Sequence, residues 1–462
     1  MATRRPNIVF ILADDMGYGD FSAVNQGLSR TPALDQLMAE GICFTQQYTA
    51  APVCNPSRAC LMTGRYPHRT GSIDTLEWRG LERLALRETT LAEVLKGAGY
   101  ATGLVGKWHL GAFDRRYHPL QRGFDESVCF RGGMHDYYEW RLEFDEQVVR
   151  ADGRYLTDVW TAEALKFIER HRQEPFFLHL TYNAPHTPLQ APQENVRPFL
   201  ESGKFNKGVS TLYGMLQRMD AGVGRILETL RACGLEENTI FMFTSDNGPQ
   251  FGGAGENQLD RFNCQLHGAK GSVYEGGIRV PMLLRWPAGL EGRREVADMV
   301  HFCDWFPTLL AMAGLEVPAA LGLDGVDVLP LIRGENGKSC DRRFWQWNRY
   351  TPLPTSNAAV RDGDWKLVRP ALAESMRAPC TDPWLHISMY EPERLLRDGL
   401  VGAPGPPRTI PPPPELYNIA TDPFEETNLA ARQPAIAQRM LRDLETWFEE
   451  VEQERASIED VW

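Results

Sequence analysis

Asn7-Ile-Val-Phe-Ile-Leu-Ala13, followed at once by Asp14-Asp15-Met16-Gly17, sets the architecture of this 462-residue chain. An almost unbroken apolar run of this length suits a strand buried on both faces, as in a parallel sheet with helices on either side. Its end carries two carboxylates to the carboxyl edge of the strand, where open α/β sheets hold their ligands. Taken alone, an Asp-Asp pair there reads more readily as a turn whose side chains cap backbone groups.

The pattern repeats outward from this strand. Residues 239–244 form a second buried strand and end at Ser245-Asp246-Asn247-Gly248. Residues 100–105 form another, ending at Gly106-Lys107-Trp108-His109-Leu110-Gly111, and residues 176–181 run into Asn183-Ala-Pro-His186-Thr-Pro. Closely spaced prolines exclude regular structure around His186 and fix it at a strand end. Lys107 and His109 would share a face if their segment were extended. Helical spacing marks residues 31–40, 90–96 (with Thr89 as cap), 155–172, 211–232 and 301–313. Strands are expected at 42–48 and 282–286, whereas 114–152 is long, aromatic and without periodicity. Its string His135-Asp-Tyr-Tyr-Glu-Trp-Arg141 suits either a pocket rim or a packed surface loop.

The segment Val53-Cys-Asn-Pro-Ser-Arg-Ala-Cys-Leu-Met-Thr-Gly64 reads as a short helix over 56–63, with Pro56 at its first position, Asn55 as cap and Gly64 closing it. Cys54 then stands ahead of a helix N-terminus, which favours an anion, and Arg58 can turn its planar fork to the same spot. A nucleophile beside an anion site is the reading; a buried Cys beside a surface Arg is the plain alternative. Cys-x-Pro-Ser-Arg with its Leu-Met-Thr-Gly tail resembles the signature of the type I sulfatases, of the alkaline phosphatase superfamily. Gly106–Gly111 resembles a second motif of that family and the His186 segment a third. Asn55 departs from the resemblance, since a small residue is usual there.

The resemblance implies an alkaline phosphatase/sulfatase-like α/β fold, a large mostly parallel sheet sandwiched by helices over residues 1–335. Beyond it, 336–462 reads as a smaller C-terminal α+β subdomain. Short strands are expected at 344–347, 358–361, 365–369 and 415–419, the middle pair forming a hairpin around Asp362-Gly363, with a closing helix at 435–452. Residues 402–414 are too rich in Pro and Gly for regular structure.

Asp14, Asp15, Asp246 and Asn247 offer hard oxygen ligands, which suit calcium or magnesium and not zinc. By resemblance these four, with the oxidised Cys54, bind one divalent cation, usually Ca2+, with Mg2+ the alternative. The resemblance also makes Cys54 a formylglycine, installed by a formylglycine-generating enzyme. It assigns Arg58, Lys107 and Lys270 to charge balance, His109 to the hydrated aldehyde, and His186 with Lys270 to the leaving group. The implied activity is hydrolysis of an aryl, alkyl or carbohydrate sulfate monoester. A phosphonate monoester or phosphodiester hydrolase on the same scaffold is the alternative, and a binding protein without catalysis the third.

A formal net charge of −12 argues against nucleic acid as the main partner. Nine scattered cysteines do not form a disulfide framework, and no run reaches membrane-spanning length. With no apolar leader ahead of Asn7 the expected location is cytoplasmic, or periplasmic or secreted if a leader has been removed. Oligomeric state is not legible. Trp345, Trp347, Trp365 and Trp384 suit a sugar-stacking platform or, more readily, the core of the small sheet. Asn257, Arg261 and His267 are further candidates for leaving-group contacts.

Overall fold

The computed structural model describes residues 5–253, 256–378 and 409–459. Its main sheet has ten strands. From edge to edge they are Arg294–Val296, Ile42–Phe44, Met282–Arg285, Thr239–Ser245, Asn7–Ala13, Phe176–Thr181, Ala101–Lys107, Glu126–Phe130, Arg141–Phe144 and Gln147–Arg150. The five strands from Thr239–Ser245 through Glu126–Phe130 run parallel, while both flanks include antiparallel pairings. Every residue of Asn7–Ala13, Phe176–Thr181 and Thr239–Ser245 is buried, as expected of strands covered on both faces.

Register decides where the chemistry falls. Ala13 pairs with Ser245, Leu12 with Thr181, Gly106 with Thr181 and Lys107 with Phe130. Parallel strands in step finish together, so Asp14-Asp15, Asp246-Asn247, Lys107 and the His186 loop all leave the sheet at one edge.

Helices cover both faces. Cys54–Thr63, Leu91–Gly97 and Phe302–Met312 pack into one apolar core; Pro32–Glu40, Leu156–Arg170 and Lys207–Ala232 pack into the other. The C-terminal part is an antiparallel sheet in the order Arg342–Gln346, Ala358–Asp362, Trp365–Arg369 and Glu415–Asn418. The closing helix Pro434–Arg455 lays Met440 and Leu444 on this sheet, in the core that also holds Leu61 and Trp305. Lys366 reaches from the small sheet to Glu275 and Glu425, 2.8 and 2.9 Å away. The small sheet thereby buttresses the segment that carries Lys270.

Several local expectations are corrected. The nucleophile helix starts at Cys54, not Pro56, and its cap residue is Val53. Asn55 lies inside the first turn, where its Nδ2 donates to the carbonyls of Glu82 and His109, each at 2.7 Å. Thr90, not Thr89, caps the next helix, in a reciprocal box with Glu93. The long helix begins at Lys207, one turn earlier than its apolar stripe suggests, because Asn206 accepts from the Val209 N–H. The region 114–152 is not a plain loop: it supplies three strands that extend the sheet. Tyr137 and Trp140 are buried, and the Tyr137 hydroxyl donates to the Asn183 carbonyl at 2.6 Å beside the His186 turn. Trp345 and Trp347 are core residues, the Trp345 indole donating to the Thr49 carbonyl, so they form no platform; Trp384 and residues 402–408 lie outside the described part.

Candidate active site

At the common strand edge, acidic and basic side chains alternate. Lys107 Nζ stands 2.7 Å from Asp14 Oδ2, and Lys270 Nζ stands 2.7 Å from Asp15 Oδ1. Arg58 directs Nε and Nη2 at Asp246 Oδ2 from 2.9 and 2.7 Å, while its Nη1 donates to the Lys107 carbonyl at 3.0 Å. Asn247 Nδ2 donates to Asp15 Oδ1 at 2.7 Å, and His186 Nε2 lies 3.8 Å from Asp15 Oδ2. The Cys54 sulfur and one oxygen each of Asp14 and Asp246 all lie within 4.8 Å of one another, and Asp14, Asp15 and His186 form a second such group. Residues spread from 14 to 270 thus meet around residue 54.

Burial shapes the electrostatics. It pushes the Asp246 carboxyl up to about 6, with the Asp14 charge adding to it against Arg58 and Lys107. Asp15 goes the other way: burial pushes it up, but Lys270, His186 and the Asn247 hydrogen bond outweigh that and hold it below its ordinary value. Burial drives the Cys54 thiol up, against the pull of Lys107 and Lys270. The same cause, reinforced by Lys270, brings His186 down to about 3, and burial with Lys107 and Arg58 holds His109 well below its usual range. Burial thus disfavours the charged form of both imidazoles.

Two oxygens bear directly on a cation. Asp14 Oδ1 and Asn247 Oδ1 are buried without a hydrogen-bond donor among the described residues. Leaving a buried acceptor unmet costs about 1–3 kcal/mol, and two facing one cluster of carboxylates need an explanation. A hard cation would satisfy both. The set of carboxylate and amide oxygens fits calcium or magnesium.

His109 sits differently from expectation. The strand ends at Lys107 and His109 has a φ of 57°, so the two do not share an extended face. Its carbonyl is held by Asn55, which ties the His109 turn to the start of the nucleophile helix. Arg261, a candidate for the leaving group, is buried and otherwise engaged: Nε donates to Asp20 Oδ1 at 2.8 Å and Nη2 to the Asp15 carbonyl at 2.7 Å. It braces Asp15, which holds a left-handed φ of 67°. His267 stacks on Tyr274 with ring centres 4.0 Å apart. Glu77, whose Oε1 lies 3.6 Å from His109 Nε2, is not legible in the sequence as a site residue. It sits in a polar stretch with no periodicity to single it out.

Buried carboxylates gathered beside Cys54 at a helix start, hemmed by one arginine and two lysines, make a centre whose charges suit an anionic ester. Residues 6–315 match the Sulfatase family model, and residues 267–376 match the model for the C-terminal part of N-sulphoglucosamine sulphohydrolase. The chain is 36% identical over 399 residues to N-acetylgalactosamine-6-sulfatase of Canis lupus familiaris, covering 79% of this chain and 72% of that one. It is 33% identical over 428 residues to steryl-sulfatase of Mus musculus, covering 73% and 66%. Among solved structures, Ps i-CgsB in complex with k-i-k-neocarrahexaose superposes with a TM-score of 0.80 at 32% identity, covering 96% of this chain and 93% of that one. The chain belongs to the sulfatase family, enzymes of the alkaline phosphatase-like superfamily.

Proposed function

We propose that this sulfatase hydrolyses a carbohydrate sulfate monoester, using a formylglycine made from Cys54 and one divalent cation, Ca2+ in preference to Mg2+. The observation that carries the reading is the cluster of Asp14, Asp246 and Cys54 with two unmet oxygens beside it. The carbohydrate class is supported by the relatives, among them an N-acetylgalactosamine-6-sulfatase and a structure in complex with a neocarrahexaose.

Charge sets the logic. Asp14, Asp15 and Asp246 are matched one for one by Lys107, Lys270 and Arg58. A cation held by Asp14, Asp15, Asp246 and Asn247 would add positive charge to that balanced set and polarise a sulfate oxygen as a Lewis acid. Hydrated formylglycine would supply a geminal diol, whose second hydroxyl offers a route back to the aldehyde once sulfate is bound covalently.

The remaining steps belong to ordinary side chains. Lys107, Lys270 and Arg58 offset charge on the non-bridging oxygens in a pocket poor in water, where such contacts count most. His186 donates its Nδ1 proton to the Thr187 carbonyl at 2.7 Å, which leaves Nε2 facing the site. An anionic ester beside Nε2 raises its proton affinity, so that Nε2 takes a proton from solvent as the ester binds and passes it to the departing alcohol oxygen. His109 would hold the proton of a residue-54 hydroxyl once formylglycine is in place. Cys54 is only 3% exposed, so its oxidation by a formylglycine-generating enzyme must precede folding.

The test compares turnover of 4-nitrophenyl sulfate, a sulfated galactose oligosaccharide and an aryl phosphonate monoester by cation-loaded enzyme. The reading predicts that both sulfates are cleaved faster than the phosphonate. Faster phosphonate turnover would overturn it.

A further inference from the structure

Both ring nitrogens of His109 are buried without a hydrogen-bond partner among the described residues. An imidazole that manages a proton needs one nitrogen held so that the other presents a defined tautomer. The Glu77 carboxylate is placed to do this. Its Oε1 lies 3.6 Å from His109 Nε2, longer than a hydrogen bond and within reach of a small rotation of either side chain. Catalytic contacts of this kind are commonly long until substrate tightens the site.

The surroundings are built for the approach. Glu77 Oε1 also accepts from the Gly133 N–H, which fixes the carboxylate. A Cβ on Gly133 would stand 2.6 Å from His109 Cε1 and 2.7 Å from Nε2, so only glycine lets this bend pass against the imidazole edge. The segment bearing Glu77 is braced from two sides. Ser72 donates to Asn55 Oδ1 at 3.0 Å, and Asp74 pairs with Arg349 at 2.9 Å while accepting from the Tyr350 N–H at 3.0 Å. The His109 backbone is pinned as well, its N–H donating to the Arg131 carbonyl at 3.1 Å. Two rigid segments therefore present one carboxylate to one imidazole edge.

We infer that Glu77 is a positioning residue: it accepts the His109 Nε2 proton, fixes the Nε2–H tautomer and leaves the Nδ1 lone pair for the reacting group on residue 54. The inference rests on the formylglycine reading for what His109 serves, but not for the pairing itself. Carboxylates behind functional histidines act in this way at metal and hydrolase centres. Glu77 touches no reacting atom.

The test uses the full chain labelled with 15N-histidine, wild type and Glu77→Gln, with the His109 signals assigned by their loss in His109→Asn. The wild type should show His109 as a single Nε2–H tautomer. Glu77→Gln, which keeps shape and loses charge, should give a tautomer mixture. On 4-nitrophenyl sulfate it should lower kcat about 10–100-fold, with KM changed much less. Glu77→Asp should recover part of both. An unchanged tautomer in Glu77→Gln overturns the inference even if activity falls, because the carboxylate would then be acting on substrate. The NMR result stands apart from turnover, so a wild type that cleaves no sulfate ester would sink the functional reading and leave the pairing to be judged on its own spectra.

Discussion

Arg58 grips Asp246 through two nitrogens on a single oxygen, Nε at 2.9 Å and Nη2 at 2.7 Å, with both side chains buried. The other carboxylate oxygen then faces Asp15, whose N–H approaches it at 3.3 Å. One arginine thus orients the Asp246 carboxylate and anchors the strand end at Lys107. Arg58→Ala would strand Asp246 as an unpaired buried charge, at a cost of about 3–5 kcal/mol. Arg58→Lys keeps the charge but not the fork. Urea denaturation of both variants should show the alanine protein less stable, and both should lose activity on 4-nitrophenyl sulfate. Wild-type stability in Arg58→Ala would mean that the pair does not hold the site.

Arg261 bridges Asp20 and the Asp15 carbonyl from inside the protein. It holds the backbone of Asp15, which is proposed to bind the cation, and not its carboxylate. Arg261→Gln should therefore weaken Ca2+ binding about 10–100-fold, read by calcium titration of thermal stability, while kcat at saturating Ca2+ is largely kept. A kcat loss that added calcium does not repair would assign Arg261 to the chemistry.

His186 is assigned the proton for the leaving group. Its removal should matter little where the departing oxygen is already a good anion. His186→Ala should thus lower kcat/KM far more for an alkyl or sugar sulfate than for 4-nitrophenyl sulfate, on the order of the 100-fold or more that general acids contribute. Equal losses on both substrates would remove His186 from that role.

Asp220 accepts the N–H groups of Ala33 and Leu34 at the start of the helix Pro32–Glu40, away from the active site. Burial raises its carboxyl from 3.8 to about 6, those two hydrogen bonds opposing the shift. The folded state therefore keeps a proton that the unfolded chain releases, and the stability this contributes below 3.8 is lost as pH rises through about 6. Asp220→Asn cannot ionise. Relative to wild type, its stability should improve by about 2 kcal/mol between about pH 4 and about pH 8, measured by denaturant titration. A difference independent of pH would show that Asp220 does not titrate in this way.

Much of this molecule is legible in local sequence. The strands at Asn7–Ala13, Phe176–Thr181 and Thr239–Ser245 are apolar runs of a length that admits little else, and each is found within a residue of its expected bounds. Motifs that close such strands arrive at one sheet edge because the strands are parallel and in step. Pairings across the chain are not legible. Nothing near Arg261 announces Asp20, and nothing near Glu77 announces His109, since each contact exists only once the sheet has formed. Asn55 misled for the opposite reason: it is a good local cap, but tertiary demand placed it inside the turn and gave its amide to two distant carbonyls. The strands at Arg141–Phe144 and Gln147–Arg150 escaped notice because they form a flanking hairpin, the second largely exposed and without an apolar rhythm.

The proposed chemistry requires residue 54 to act as an oxidised cysteine. Preparations made with different amounts of formylglycine-generating enzyme will differ in the fraction of Cys54 converted, which peptide mass spectrometry reads as exchange of CH2SH for CHO. Turnover of 4-nitrophenyl sulfate in saturating Ca2+ should rise in proportion to that fraction and vanish in Cys54→Ala. Activity that stays constant while the converted fraction varies, or that survives in Cys54→Ala, would contradict it.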